Sequence, residues 1–347
     1  MPPRNWFKDL FEHQAIGARR RQAEWQATAE SDGCMRNLMF YIMTVLIWGS
    51  TWLAITFQLG HVDPMVSVSY RFSLAAALLL VWCFLRRLPM RFTAGEHLAM
   101  AAQGVFLFAL NYWLFYLAEL HVTSGLAAVI FSTVMVMNVV NGAFFLKSPI
   151  DMKVVAGGAL GLLGIGLVFR PELTAFHWGD SGARGLIFCF AATYLASIGN
   201  ILSARNQKHG LPVVQTNAFG MMYGALLMLG LSWFLGRSFV FELSGVYVGS
   251  LVYLAVFGSI IAFGCYLTLV GRIGADRAAY ATLIFPVVAL VISTVWEGYQ
   301  WSASAFSGVA LILGGNLLLL KRKSSPAVSR DRAKRQARCN EALSEAL

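Results

Sequence analysis

The chain has 347 residues, 58% of them hydrophobic and only 13% charged, with a mean hydropathy of +0.63 and a formal charge of +10 from 27 Lys and Arg against 17 Asp and Glu. A water-soluble domain is about 25% charged, so this composition excludes one, and apolar runs far longer than alternating strands exclude an outer-membrane barrel. The basic residues stand at the edges of those runs, which makes the charge a matter of orientation in a lipid bilayer and leaves no call for a nucleic-acid partner.

In chain order, residues 1–36 form a basic tail with neither an apolar core nor a small-residue cleavage site, so no secretory signal is expected. Met35, just ahead of the first apolar run, suggests that the stretch before it is an extension. At about 20 residues per crossing, ten spans follow. The first five are Leu38–Leu59, Met65–Leu85, Leu98–Ala118, Ser124–Leu146 and Val154–Phe169. After a connecting loop at 171–184 come Gly185–Ala204, Val213–Leu235, Val246–Val270, Ala278–Trp296 and Ala303–Leu320, and a second basic tail fills 321–347. The five cysteines, Cys34, Cys83, Cys189, Cys265 and Cys339, form no Cys-x-x-Cys pair, so neither a metal site nor a disulfide framework is expected.

Lys and Arg accumulate on the cytoplasmic side of short loops. The two tails hold six and eight of them, and the four loops on the same side hold nine: Arg86, Arg87, Arg91, Lys147, Lys153, Arg205, Lys208, Arg272 and Arg277. The opposite loops hold only Arg170, Arg184 and Arg237. Both termini are therefore expected in the cytoplasm. Sliding the chain by 151 residues places Ala127 and Ala128 on Ala278 and Ala279, Gly157 on Gly308 and Gly164 on Gly315. Two five-span halves result, 37–170 and 185–320. Five is odd, so the second half enters the bilayer from the opposite face: the expected fold is an all-α membrane protein with ten transmembrane helices in two inverted five-helix repeats. Such halves can expose a shared midplane site to either side in turn.

Several local patterns also resemble a known family. Trp48–Trp52 reads WGSTW, Pro64 is followed by SYRFSLAAALLL at Ser69–Leu80, and the last two spans carry Pro286, Glu297, Gly308 and Gly315. From Arg36 to Lys321 the chain is similar to the EamA-type members of the drug/metabolite transporter superfamily. The resemblance implies a bacterial inner-membrane carrier that exports amino acids or other small metabolites. The first half departs from the pattern, with Met135 at the position equivalent to Pro286 and Leu146, Lys147 and Ser148 where a glutamate is often found.

Arg71 is the only charged residue inside a predicted span. It either binds a solute carboxylate or ties its helix to carbonyls and an outer acid such as Glu119 or Glu297. With no carboxylate or histidine inside a span, gradient-driven or exchange transport is expected over tight proton coupling, and Asp63, Glu119 and Glu297 read as solvated acids at the outer ends. The remaining substrate-binding candidates are polar and aromatic groups near mid-depth: Trp48, Ser50, Thr51, Asn111, Tyr112, Tyr116, Tyr194, Tyr223, Tyr253 and Tyr280. A few polar groups among apolar walls suit a zwitterionic or moderately apolar solute. Pro286 is a candidate hinge. Gly157, Gly161, Gly164, Gly308, Gly314 and Gly315 pack helices closely, either within the chain or as a homodimer seam. No cofactor or metal is implied. A sugar-phosphate or nucleotide-sugar carrier would want two or more cations at its site, and an intramembrane enzyme would need a nucleophile with its base or a ligand cluster. A scaffold would not need inverted halves.

Overall fold

The computed structural model describes residues 35–148, 150, 152–168, 170, 174, 181–279, 281–296 and 301–320. Its helices are α1 (Met35–Thr56), α2 (Pro64–Leu85), α3 (Ala94–Ala118), α4 (Ser124–Phe131), α5 (Val134–Leu146), α6 (Met152–Val168), α7 (Ser181–Lys208), α8 (Val213–Phe234), α9 (Gly245–Ile273), the single turn α10 (Ala275–Ala278), α11 (Ala281–Trp296) and α12 (Ala303–Leu320). Among the described residues, α1, α2, α3, α7, α8 and α9 are long and apolar enough to cross a bilayer, and α5, α6, α11 and α12 are shorter apolar helices. The outward faces are as greasy as the interior: Phe84 is 80% exposed, and Phe144, Trp233 and Phe234 stand out nearly as far. Water would not tolerate such a surface, whereas lipid covers it. The protein is all-α and multi-pass.

The helix starts come from caps that an apolar-run reading misses. Asp63 Oδ1 accepts from the Met65 amide at 2.8 Å ahead of Pro64, a residue with no amide hydrogen to satisfy. Thr93 and Glu96 form a reciprocal capping box that begins α3 four residues before the predicted span. Ser244 caps α9. The fourth predicted span is broken instead of continuous: Ser132 and Thr133 form a turn between α4 and α5, across which the Thr133 hydroxyl donates back to the Ile130 carbonyl at 2.7 Å. The ninth is likewise divided between α10 and α11.

The most extensive helix contacts are α3 on α7, α6 on α12 and α2 on α8. Between α6 and α12, glycines let backbones touch: a Cβ on Gly164 would lie 2.5 Å from the Gly308 oxygen, and one on Gly315 would lie 2.7 Å from the Gly157 oxygen. The two glycine stripes therefore face each other inside one chain. Helices starting at Ala94, Ser124 and Met152 are followed 151 residues later by helices starting at Gly245, Ala275 and Ala303. Both α3 and α9 open into a π-helical stretch, at Val105–Leu110 and Leu254–Ile261.

Candidate functional site

A cavity of about 40 Å3 lies at mid-depth, walled by α1, α3 and α4 on one side and α7, α9 and α11 on the other. Trp48, Thr51, Trp52 and Ile55 come from α1, Leu107, Asn111, Tyr112 and Phe115 from α3, and Phe131 from α4. Facing them are Ala196 and Asn200 from α7, Phe263 and Tyr266 from α9, and Phe285 from α11. The rings fall into two clusters, Trp48 against Phe263 and Tyr266 at 4.9 and 4.8 Å, and Trp52 against Phe115 and Phe285 at 5.2 and 6.0 Å. The π-helical stretch of α9 exposes the Gly258 carbonyl, which takes the Trp48 indole N–H at 3.2 Å and so fixes that ring.

Polar atoms in this wall are left without partners. Asn111 Oδ1, Asn200 Oδ1 and the Tyr266 hydroxyl are buried and make no hydrogen bond. A dry, unpaired polar group is costly, and three around one cavity mark a place where a polar solute can pay for its own desolvation. Towards the end of the bundle carrying Lys208 and Arg272, Asn200 donates to Asn138 Oδ1 at 3.5 Å, and Tyr266 lies beside Asn138. Beyond this neck, α5, α7 and α9 enclose a vestibule of about 400 Å3 lined by Asn138, Ser148, Gln207, Lys208, Thr268 and Arg272 among others.

Towards the opposite end, hydrogen bonds close the bundle. Ser67 Oγ and the Tyr247 hydroxyl are 3.0 Å apart, and Arg237 reaches Asp63 at 3.5 Å near the surface. Arg71 is 1% exposed. Its Nε donates to Ser259 Oγ at 3.0 Å, its guanidinium lies 4.4 Å from the Tyr112 ring centre, and Nη1 has no hydrogen-bond partner. It thus sits behind Tyr112, one layer back from the cavity, and among the described residues no acid forms an ion pair with it.

Of the candidates read from sequence, the structure brings Trp48, Thr51, Asn111 and Tyr112 together in the cavity wall. Arg71 and the buried Tyr116 lie behind it. Ser50 and Tyr253 pair with each other at 2.6 Å across α1 and α9, away from the cavity lining. Tyr223 bonds His97 Nδ1 at 2.9 Å, and Tyr194 is 48% exposed on the outer side of α7. Tyr280 and Glu297 lie outside the described residues. Glu119 is 9% exposed at the end of α3 and not solvated as the sequence suggested. Asn200, Tyr266 and five of the wall's aromatic residues were not singled out. A mid-span amide was the available signal for Asn200, as it was for Asn111.

Pro286 is buried inside α11. Without an amide hydrogen it leaves the Thr282 carbonyl unbonded, and Ser132 Oγ donates to that carbonyl at 2.8 Å. The break between α4 and α5 thus completes the proline-interrupted helix opposite. Ser132→Ala orphans this carbonyl and should cost about 1–3 kcal/mol, seen as a lower thermal midpoint in detergent; an unchanged midpoint would mean another donor moves in.

The model of the EamA-like transporter family matches residues 35–170 and again 183–321. Protein PagO of Salmonella typhimurium is 26% identical over 297 residues, covering 85% of this chain and 96% of its own length. A protein of Escherichia coli named probable amino-acid metabolite efflux pump is 25% identical over 288 residues, covering 79% and 91%. A solved crystal structure superposes with a TM-score of 0.67 at 18% identity, over 82% of this chain and 96% of the other. Since the family model spans well over half of the sequence, the chain belongs to the EamA-like transporter family.

Proposed function

We propose that this chain is a bacterial inner-membrane carrier that exports amino acids or other small metabolites by alternating access, from a site between two inverted five-helix halves at 37–170 and 185–320. The tails at 1–36 and 321–347 then face the cytoplasm, as does the vestibule, and the loop at 171–184 lies outside. The carrying observation is the mid-depth cavity, to which the first, third and fourth spans of both halves contribute and in which Asn111, Asn200 and Tyr266 present unpaired polar atoms.

Other features support the same reading. The family match is doubled, the helix starts recur at one spacing, and the glycine contacts are reciprocal: with 157 equivalent to 308 and 164 to 315, Gly164 meets Gly308 and Gly157 meets Gly315. A two-fold relation between like surfaces produces such crossed pairs. Because these stripes engage each other, the glycines leave no seam for a homodimer, and a single chain is the proposed unit. The cavity wall carries no cation, which disfavours the sugar-phosphate and nucleotide-sugar alternative. It carries no acid either, in keeping with gradient-driven or exchange transport.

In proteoliposomes, neutral amino acids should show saturable flux and counterflow. Asn200→Leu should raise KM about tenfold, the value of one or two modest hydrogen bonds, with the protein still monodisperse. Flux that stays linear with concentration, or an unchanged KM for every transported solute, would remove this assignment.

A further inference from the structure

Two carboxamides make matching contacts at opposite ends of the bundle. Gln58, just past the end of α1, donates from Nε2 to the Tyr247 carbonyl at 2.9 Å and to Ser250 Oγ at 2.7 Å, both in the first turns of α9. Asn206, near the end of α7, donates from Nδ2 to the Ala99 carbonyl at 3.3 Å and to Gln103 Oε1 at 3.0 Å, both in the first turns of α3. Each amide projects from the first helix of one half and grips a backbone carbonyl, plus a side chain about one turn further on, along the third helix of the other half.

The gripping positions correspond as well. Asn206 follows Gln58 by 148 residues, the spacing of the two family matches, which begin at 35 and 183. On the gripped helices, whose starts lie 151 apart, Ser250 is the equivalent of Ala99, so Asn206 holds its helix about one turn further along than Gln58 does. Gln58 and Asn206 are each 1% exposed, and in each the amide oxygen has no hydrogen-bond partner. Two neutral hydrogen bonds gained are partly offset by one acceptor left dry. Each contact therefore closes its end of the bundle with only a modest net free energy, as an interface that must reopen requires.

We propose that Gln58 and Asn206 are paired latches, Gln58 holding the outer mouth shut and Asn206 the inner mouth, and that the carrier cycles by releasing one while the other stays closed. This rests on the alternating-access reading, since a rigid bundle has no use for a weak closure at each end. Both latches are engaged in the structure, in keeping with a central cavity too small for an amino acid.

The test is side-specific labelling of the full chain in oriented membrane vesicles, with the native cysteines replaced and Thr51→Cys as a reporter in the cavity wall. A membrane-impermeant maleimide is added from either side. Gln58→Leu should raise the outer-to-inner labelling ratio about tenfold, the value of two modest hydrogen bonds partly offset, and Asn206→Leu should lower it by a similar factor. The double variant should return towards the parent. Gln58→Ala and Asn206→Ala carry the same signs if a leucine variant does not assemble. Shifts in the same direction, or ratios within twofold of the parent, would overturn the latches. Opposed shifts without counterflow of any solute would instead keep the latches and sink the carrier reading.

Discussion

Gly164→Ala is expected to lower the thermal midpoint of the detergent-solubilised protein by roughly 2–5 °C, while Gly166→Ala leaves it unchanged or slightly higher. The two glycines stand two residues apart on α6 and differ only in what lies opposite. A Cβ on Gly164 would meet the Gly308 oxygen at 2.5 Å and the Ile312 nitrogen at 3.0 Å, whereas one on Gly166 meets nothing within 4 Å. Backbone cannot rotate aside as a side chain can, so α6 and α12 must separate along their length, at an overpacking cost of about 1–3 kcal/mol, equivalent to several degrees in a protein of this size. Gly161→Ala should fall between them, because its new methyl would press on the movable Leu283 side chain at 3.1 Å. Equal midpoints for the Gly164 and Gly166 variants would mean that the close contact between α6 and α12 contributes little to stability.

These glycines also show how far the sequence could be read. Their spacing announced close packing, but two facing stripes and two copies of one stripe produce the same spacing. Only the position of α12 beside α6 decides between them. The spans themselves were legible because lipid demands long apolar runs, and their ends were missed by a few residues where polar caps such as Thr93 and Ser244 extend a helix beyond its greasy part. The cavity was half legible. Trp48, Thr51, Asn111 and Tyr112 stood out as mid-depth polar or aromatic groups, yet Tyr194 met the same criterion and turns outwards. In a chain whose helices are apolar on every side, no periodicity tells the face towards a neighbouring helix from the face towards lipid. Asn200 and Tyr266 acquire meaning only when α7 and α9 bring them to the same neck.

Arg71→Lys and Arg71→Met are expected to behave alike, both cutting transport turnover about 30- to 100-fold with KM changed by less than about threefold. Two interactions set the size: a hydrogen bond from a charged donor to Ser259, and a desolvated cation over the Tyr112 ring, together about 2–3 kcal/mol. Lysine keeps the charge but has neither the planar face that lies on Tyr112 nor a nitrogen placed as Nε is. Stability should change little in the Met variant, because replacing a buried charge by an apolar side chain of similar length also removes its desolvation cost, and Ser259 Oγ keeps its bond to the Leu254 carbonyl at 3.0 Å. The link to function runs through Tyr112: the guanidinium stands behind a ring of the cavity wall and joins α2 to the π-helical stretch of α9, so removing it loosens the wall and the closed end together. The opposing reading, in which Arg71 holds the solute carboxylate, predicts a different pattern. Lysine would then rescue much of the activity, and Arg71→Met would raise KM more than tenfold for amino acids but not for their amides. Measuring KM and turnover for one amino acid and its amide in all three proteins separates the two readings.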